Sequence, residues 1–380
     1  MAKEDFIIED GVLTKYVGNS KSIVVPEGVT SIGKSAFKWG GMELSSIVIP
    51  FGVTSIGEYS FSDCSGLTTI TIPDSVTKIC NSAFDGCSGL TSITVAEGNK
   101  TYRSEGNCLI ETATDRLVLG CKTSVIPDGV TDIGEGAFSG CSGLSSVTIP
   151  SSVIKISKFA FYNCSGLSLI TIPDSVTDIG EGAFSACSGL DSVTIPNSVT
   201  LIGGSAFCDC RGLTSAIIGS GVTDIGYEVF SGCNELSSII VADGNTTYHC
   251  EGNCLIETAT GCLVLGCKTS IIPLGVTAIA ECAFYECGGL RLITIPDSVT
   301  EIGEYAFYDC SGLSSITISD SVTYIGENAF YDCSELNSIT YAGTLDEWAA
   351  VEKEEGWAEF VPAEVVHCMD GDAPIEKEEY

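Results

Sequence analysis

Cysteine is the residue in this chain whose chemistry most needs an explanation. The 380 residues hold 20 of them. Ten sit in one place, three residues after a phenylalanine: Cys64, Cys87, Cys141, Cys164, Cys187, Cys210, Cys233, Cys287, Cys310 and Cys333. A nucleophilic thiol needs one special environment with a base beside it. Ten equivalent thiols cannot each have one, and the only imidazoles are His249 and His367. The column therefore reads as small buried hydrophobes. Neighbouring strands of a sheet lie about 5 Å apart, within reach of a disulfide. A single inward column gives no thiol a preferred partner, however, and so many cysteines outside a small secreted domain do not read as a disulfide framework.

A second group is Cys250, Cys254, Cys262 and Cys267, spaced C-x3-C-x7-C-x4-C with His249 alongside. That spacing loosely resembles a zinc site. The equivalent places 146 residues earlier hold Ser104, Cys108, Arg116 and Cys121. Cys108 and Cys121 manage there without the other two, so packing explains that pair. Whether the four later cysteines bind metal or pair as a disulfide stays open at this level; no metal or cofactor is expected. Acidic pairs recur as Asp132 with Glu135, Asp178 with Glu181, and Glu301 with Glu304. They lack the dense Gly-Asp nonapeptide pattern of calcium-bound rolls and read as solvated charge. Titratable groups recur everywhere and concentrate nowhere, so no catalytic residue is assigned and no enzyme is expected.

The elements that would position these residues come from internal repetition. The stretch IPDSVTDIGEGAFSACSGLDSVT (172–194) begins again at Ile195-Pro196. Units start at Val25, Ile49 and Ile72, then at Ile126, Ile149, Ile172, Ile195 and Ile218, then at Ile272, Ile295 and Ile318. The first is 24 residues long and the other ten are 23. Two units of 31 residues start at Val95 and Val241. Leu190-Asp191-Ser192-Val193-Thr194-Ile195 fits L-x-x-L-x-L, with Val193 and Ile195 alternating against Ser192 and Thr194. That is a strand with one buried and one wet face, closed by Pro196. The Val-Thr-x-Ile-Gly that follows should run extended along another side of the coil, and Glu-Gly-Ala-Phe-x-x-Cys should make one short helical turn with Ala and Phe inward. One unit cannot bury its apolar edge, but stacked units can. Each long unit, TYRSEGNCLIETATDRLVLGC (101–121) and TYHCEGNCLIETATGCLVLGC (247–267), reads as a β-hairpin about a polar Glu-Thr-Ala-Thr turn, displacing part of a coil.

Both ends need lids. Phe6 to Leu13 reads as a hairpin about Asp10-Gly11. Thr344-Leu345-Asp346-Glu347 is a capping box before Trp348 and Val351, followed by a strand near Val365–Cys368. The expected organisation is a capping hairpin over 1–24, a solenoid over 25–340 with long units at 95–125 and 241–271, and a C-terminal cap with acidic tail over 341–380.

The phrase IPDGVTDIGEGAFSGCSGLSSVTIP (126–150), repeated in register over 25–340, resembles the BspA-like subfamily of leucine-rich repeat proteins. TYAGTLDEWAAV…GWAEFVPAEVVHCMDG also looks like segments common in that family. The resemblance implies a right-handed parallel β solenoid with a curved face, a bacterial origin, often in the gut or mouth, and a role in surface adhesion or protein binding. It carries no shared catalytic residue. Surface members of the family need an export signal. Met1-Ala2-Lys3-Glu4-Asp5 does not read as the start of one, and no anchor tail is read. Localisation is therefore expected at the cell surface on family grounds, or in the cytoplasm on the reading of the N-terminus.

Composition limits the partner. Lys and Arg total 17 against 50 Asp and Glu, a net charge of −33. Nucleic acid and anionic membrane both need clustered cations, so neither is expected. No apolar run is long enough to span a bilayer. The charge reads as keeping the chain soluble and monomeric. Two hydroxyl columns line the wet strand face; Thr148, Thr171 and Thr194 represent the second. The residue after Phe is Tyr in the last three units, as Tyr285, Tyr308 and Tyr331, and mostly Ser earlier. Tyrosines on an edge are typical interface anchors, or a stacking ladder. The expectation is a non-enzymatic scaffold binding a protein or glycan through these residues. The alternative is a non-catalytic accessory that positions an enzyme partner.

Overall fold

The computed structural model describes residues 5–38 and 43–377. The ends read above as Met1–Glu4 and Glu378–Tyr380 lie outside the described residues. The chain divides into two compact units, Met1–Leu190 and Asp191–Tyr380, and each is a parallel β-solenoid.

In the first unit each 23- or 24-residue coil gives strands to two different sheets. Ser22–Val24, Ser46–Val48, Thr69–Ile72 and Ser92–Val95 pair in parallel, with Thr69 beside Ser92 and Thr71 beside Thr94. Along Thr69–Ile72 exposure alternates, with Ile70 and Ile72 buried. Pro73 follows at once and ends the ladder, because it has no N–H to donate. The expected extended Val-Thr-x-Ile run forms two-residue strands in the other sheet, such as Ser31–Ile32, Ser55–Ile56 and Lys78–Ile79.

The third side of the coil is the Ala-Phe-x-x-Cys segment. Its helical turn is built from successive i to i+3 bonds: the N–H of Ala183 donates to Gly180 O at 3.2 Å, and that of Cys187 to Phe184 O at 3.2 Å. Left-handed residues interrupt it, Gly182 at φ 57° and Ala186 at φ 59°. Each interruption returns a peptide group to the neighbouring coil, so Phe161 N–H donates to Ala183 O at 2.7 Å. The phenyl rings then stack. Phe138 and Phe161 are 5.0 Å apart and 8° from parallel, and in the second unit Phe284 and Phe307 are 4.8 Å apart and 9° from parallel.

The long units hold the expected strand pair, Cys108–Glu111 against Arg116–Leu119 and Cys254–Glu257 against Cys262–Leu265. Each also has an earlier strand, Tyr102–Glu105 or Tyr248–Glu251, joined through left-handed Gly-Asn turns at Gly106-Asn107 and Gly252-Asn253. The insertion is therefore a three-stranded meander. Its last strand pairs in parallel with Asp132–Ile133, or with Ala278–Ile279 in the second unit, so the meander replaces the short strand of one coil. These units have no phenylalanine for the ladder. Gly120 and Gly266 fill the gap by letting backbone touch the next ring: a Cβ there would lie 2.0 Å from Phe138 or 1.9 Å from Phe284.

Both lids are present. Phe6–Glu9 and Val12–Tyr16 form an antiparallel hairpin about left-handed Asp10 and Gly11, and Val12–Tyr16 pairs with Ser31–Ile32. At the other end, Thr344 caps the helix Leu345–Ala350 in a reciprocal box with Glu347, and Trp348 is buried. Val365–Cys368 joins Ser338–Tyr341 in parallel and turns back through Gly371–Pro374.

Candidate binding faces

The thiol column faces the core. All ten ladder cysteines are buried and unbridged. Most have the same partner: the thiols of Cys87, Cys164, Cys187, Cys233, Cys310 and Cys333 lie 3.0 to 3.2 Å from the phenylalanine carbonyl one coil earlier. That carbonyl already accepts the N–H of its own coil's cysteine, and the S–H takes its second lone pair. Burial pushes the Cys64 and Cys141 thiols up to about 12. Groups held this firmly protonated are poor nucleophiles and poor metal ligands.

The four cysteines of the second meander do not share a centre. Cys250 Sγ lies 2.9 Å from Ile239 O, Cys254 Sγ 3.6 Å from Gly252 O, Cys267 Sγ 3.7 Å from Asn253 O and Cys262 Sγ 4.0 Å from Leu263 O. All four are unbridged, and among the described residues no three His, Cys, Asp or Glu side chains converge as metal ligands would. His249 bonds Thr258 and His367 bonds Asp372.

The hydroxyl columns lie on the strand face in the expected register. In the first unit Thr148 and Thr171 are exposed and directly paired across parallel strands. Thr194 belongs to the second unit, where its strand neighbour is Ile217, which in turn pairs with Ile240. The second column is broken there by these apolar side chains, and it resumes where Thr294, Thr317 and Thr340 pair in register.

The tyrosines form a stack in the second unit. Tyr285 and Tyr308 are 4.8 Å apart and 6° from parallel; Tyr308 and Tyr331 are 5.2 Å apart and 2° from parallel. Each ring covers its neighbour, so all three are half-buried rather than fully exposed. The stack ends edge-on against Phe360, which is 51% exposed. Next to each ring in sequence stands a left-handed acid: Glu286, Asp309 and Asp332. Burial raises Glu286 and Asp309, and Asp332 raises Asp309 further. Burial and these carboxylates also raise the Tyr285 and Tyr308 hydroxyls, which stay protonated as donors.

One feature escaped sequence reasoning. A groove of about 630 Å³ opens in the C-terminal cap beside Trp348 and Trp357. Its residues do not repeat, so periodicity gave no signal; the only hint was the concentration of Trp, Lys and Glu over 346–359.

Stacked strands, a phenylalanine spine and capped ends define a leucine-rich repeat solenoid. A family model described as a BspA type leucine rich repeat region, in six copies, matches residues 8–114, 119–237 and 265–349. The chain belongs to this family. Among solved structures it is similar to a leucine rich cell surface protein from Faecalibacterium prausnitzii, with 27% identity over 92% of this chain and 96% of that one at a TM-score of 0.47. It is also similar to a leucine-rich repeat protein from Eubacterium ventriosum, with 24% identity over 84% and 78% at 0.51. A third similar structure is a leucine-rich repeat protein from Bacteroides ovatus, with 24% identity over 90% and 85% at 0.46. No curated protein matches the sequence.

Proposed function

We propose that this leucine-rich repeat protein is a non-enzymatic binding or adhesion scaffold that recognises a protein or glycan through the edge carrying Tyr285, Tyr308 and Tyr331. The observation that carries this reading is the tyrosine stack itself. It offers apolar ring and donor hydroxyl together, the pairing that interface anchors use. The fold does not demand it, because the same position is a buried serine at Ser139, Ser185 and Ser231. The family supports a binding role in general terms. The test replaces all three tyrosines with serine and probes the chain on a glycan array and against a panel of cell-surface proteins. Circular dichroism should be unchanged, while captured partner falls at least about ten-fold, as expected for loss of central aromatic anchors. Unchanged capture by folded triple variant sinks the assignment.

A further inference from the structure

The tyrosine edge carries charge as well as rings, and that charge narrows the choice of partner. Each phenol is followed by a carboxylate: Tyr285 by Glu286, Tyr308 by Asp309 and Tyr331 by Asp332. The duplicate coils 146 residues earlier hold Gly140, Asn163 and Ala186 at those three places. All six residues are left-handed, Ala186 at φ 59° and Asp309 at φ 46° among them. The turn therefore closes without an acid, and ring and carboxylate arrive together for another reason.

The carboxylates bracket the rings. Burial raises the Tyr308 hydroxyl, and Tyr331, Asp309, Asp332 and Glu286 raise it further. On the other flank Tyr305 is tilted 59° against Tyr308, and its hydroxyl lies 3.5 Å from Glu327 Oε1. Among the described residues none of Glu286, Asp309, Glu327 and Asp332 has an ion pair. Coils about 5 Å apart set like charges against each other along the column.

The chain itself shows what this place in a coil can hold. Asp209 occupies it in the coil that starts at Ile195, and takes the guanidinium of Arg211, whose Nε and Nη2 both lie 3.1 Å from Oδ1. Two residues after Glu286, Asp309 and Asp332 stand Gly288, Ser311 and Ser334 instead. The three tyrosine coils do not supply the cation that Asp209 receives from its own coil.

Resting on the reading of the tyrosine edge given above, we propose that its partner is a protein presenting an arginine- or lysine-rich segment, and not a glycan. The segment's charges pair with Glu286, Asp309 and Asp332, while its aliphatic stems lie along the stacked phenols. An uncharged sugar would use the rings and leave the repulsion among the carboxylates in place. The chain's net charge of −33 draws such a segment in from a distance.

The probe is a dye-labelled peptide of alternating glycine and arginine, titrated with the full chain while fluorescence anisotropy is followed. Salt is held at about 0.15 M, which screens all but close charge pairs. A twin peptide with citrulline keeps the shape and removes the charge. The arginine peptide should bind saturably, and its twin at least about ten-fold more weakly. Glu286→Gln, Asp309→Asn and Asp332→Asn combined keep all three rings and should weaken the arginine peptide at least about ten-fold. Neutralising Asp191, Asp224 and Asp243, in coils without these tyrosines, should leave binding nearly unchanged. Equal losses in the two triple variants overturn the proposal, because net charge alone would then explain the binding. So does an arginine peptide that does not bind the unaltered chain. Capture of an oligosaccharide that needs the tyrosines but ignores the three amide substitutions overturns it too, and leaves the tyrosine reading standing. Capture that survives replacement of the tyrosines removes both. If Glu286→Gln disturbs the bond from Ser231 and the fold with it, Asp309→Asn with Asp332→Asn decides, since asparagine suits a left-handed backbone. Unchanged binding by that folded pair is equally fatal.

Discussion

Phe307 and Tyr308 are adjacent in the chain and belong to two ladders of nearly identical geometry. Phe307 stacks on Phe284 and Phe330 at 4.8 and 5.1 Å, and Tyr308 on Tyr285 and Tyr331 at 4.8 and 5.2 Å. The phenyl ring is fully buried and the phenol half-buried. Stacking distance is set by the coil spacing, so it says nothing about role. Distribution does. Phenylalanine fills its place in every 23-residue coil, whereas tyrosine is confined to three adjacent coils and to Tyr162. A ladder needed to close each coil must appear in each coil; a ladder confined to one stretch is free to serve something outside.

If interior and edge differ in this way, insults to the interior should dominate. The largest effect is expected from alkali. Burial holds several interior thiols, including Cys64, Cys141 and Cys254, up to about 12 against a usual 9.0. The folded pKa is raised, so the protonated thiols stabilise the fold below about pH 9, and this contribution is lost as pH climbs toward 12. Thiolate ultraviolet absorbance should therefore appear together with loss of β-sheet circular dichroism. Thiolate signal from a still-folded chain would show that the column is wetter than described.

Phe307→Ala should cost roughly 3–5 kcal/mol in urea unfolding, the usual loss for a large buried ring that leaves a cavity. A loss as small as that of an edge residue would erase the distinction between the ladders. Gly266→Ala should cost about 1–3 kcal/mol, because its Cβ drives into the Phe284 ring and the meander must shift. The same change at Gly275, where a Cβ meets nothing within 4 Å, is the control. Thr194→Ala, on the wet strand face, should stay within about ±0.5 kcal/mol.

Much of this was legible in the sequence for one reason: errors do not accumulate when the same 23 residues state the pattern repeatedly. The Ile-Thr-Ile alternation, the inward Ala-Phe-Cys and the two lids all follow from side-chain type and spacing. Three things did not. Left-handed positions are filled by Ser35, Tyr59, Cys282 and Phe360, residues with no turn preference, because stacking dictates the backbone there. The first meander strand was missed because Tyr102-Arg103-Ser104-Glu105 is mostly polar and its Gly-Asn turn reverses the familiar Asn-Gly order. The cap groove was missed because its residues, Trp348 and Trp357 among them, occur once, and only tertiary contact brings them together.

The equal stacking of Phe284, Phe307 and Phe330 also bears on how such a gene can change. Removing residues 295–317 would bring Phe284 against Phe330 across the same kind of joint that each now makes with Phe307. Recombination between neighbouring copies in the DNA can therefore lengthen or shorten the solenoid by whole coils with no compensating change in the core. In that trade the scaffold loses nothing but reach, while the tyrosine edge would drop from three rings to two. Copy number in this architecture is a heritable adjustment of the tyrosine edge, available without a single point mutation.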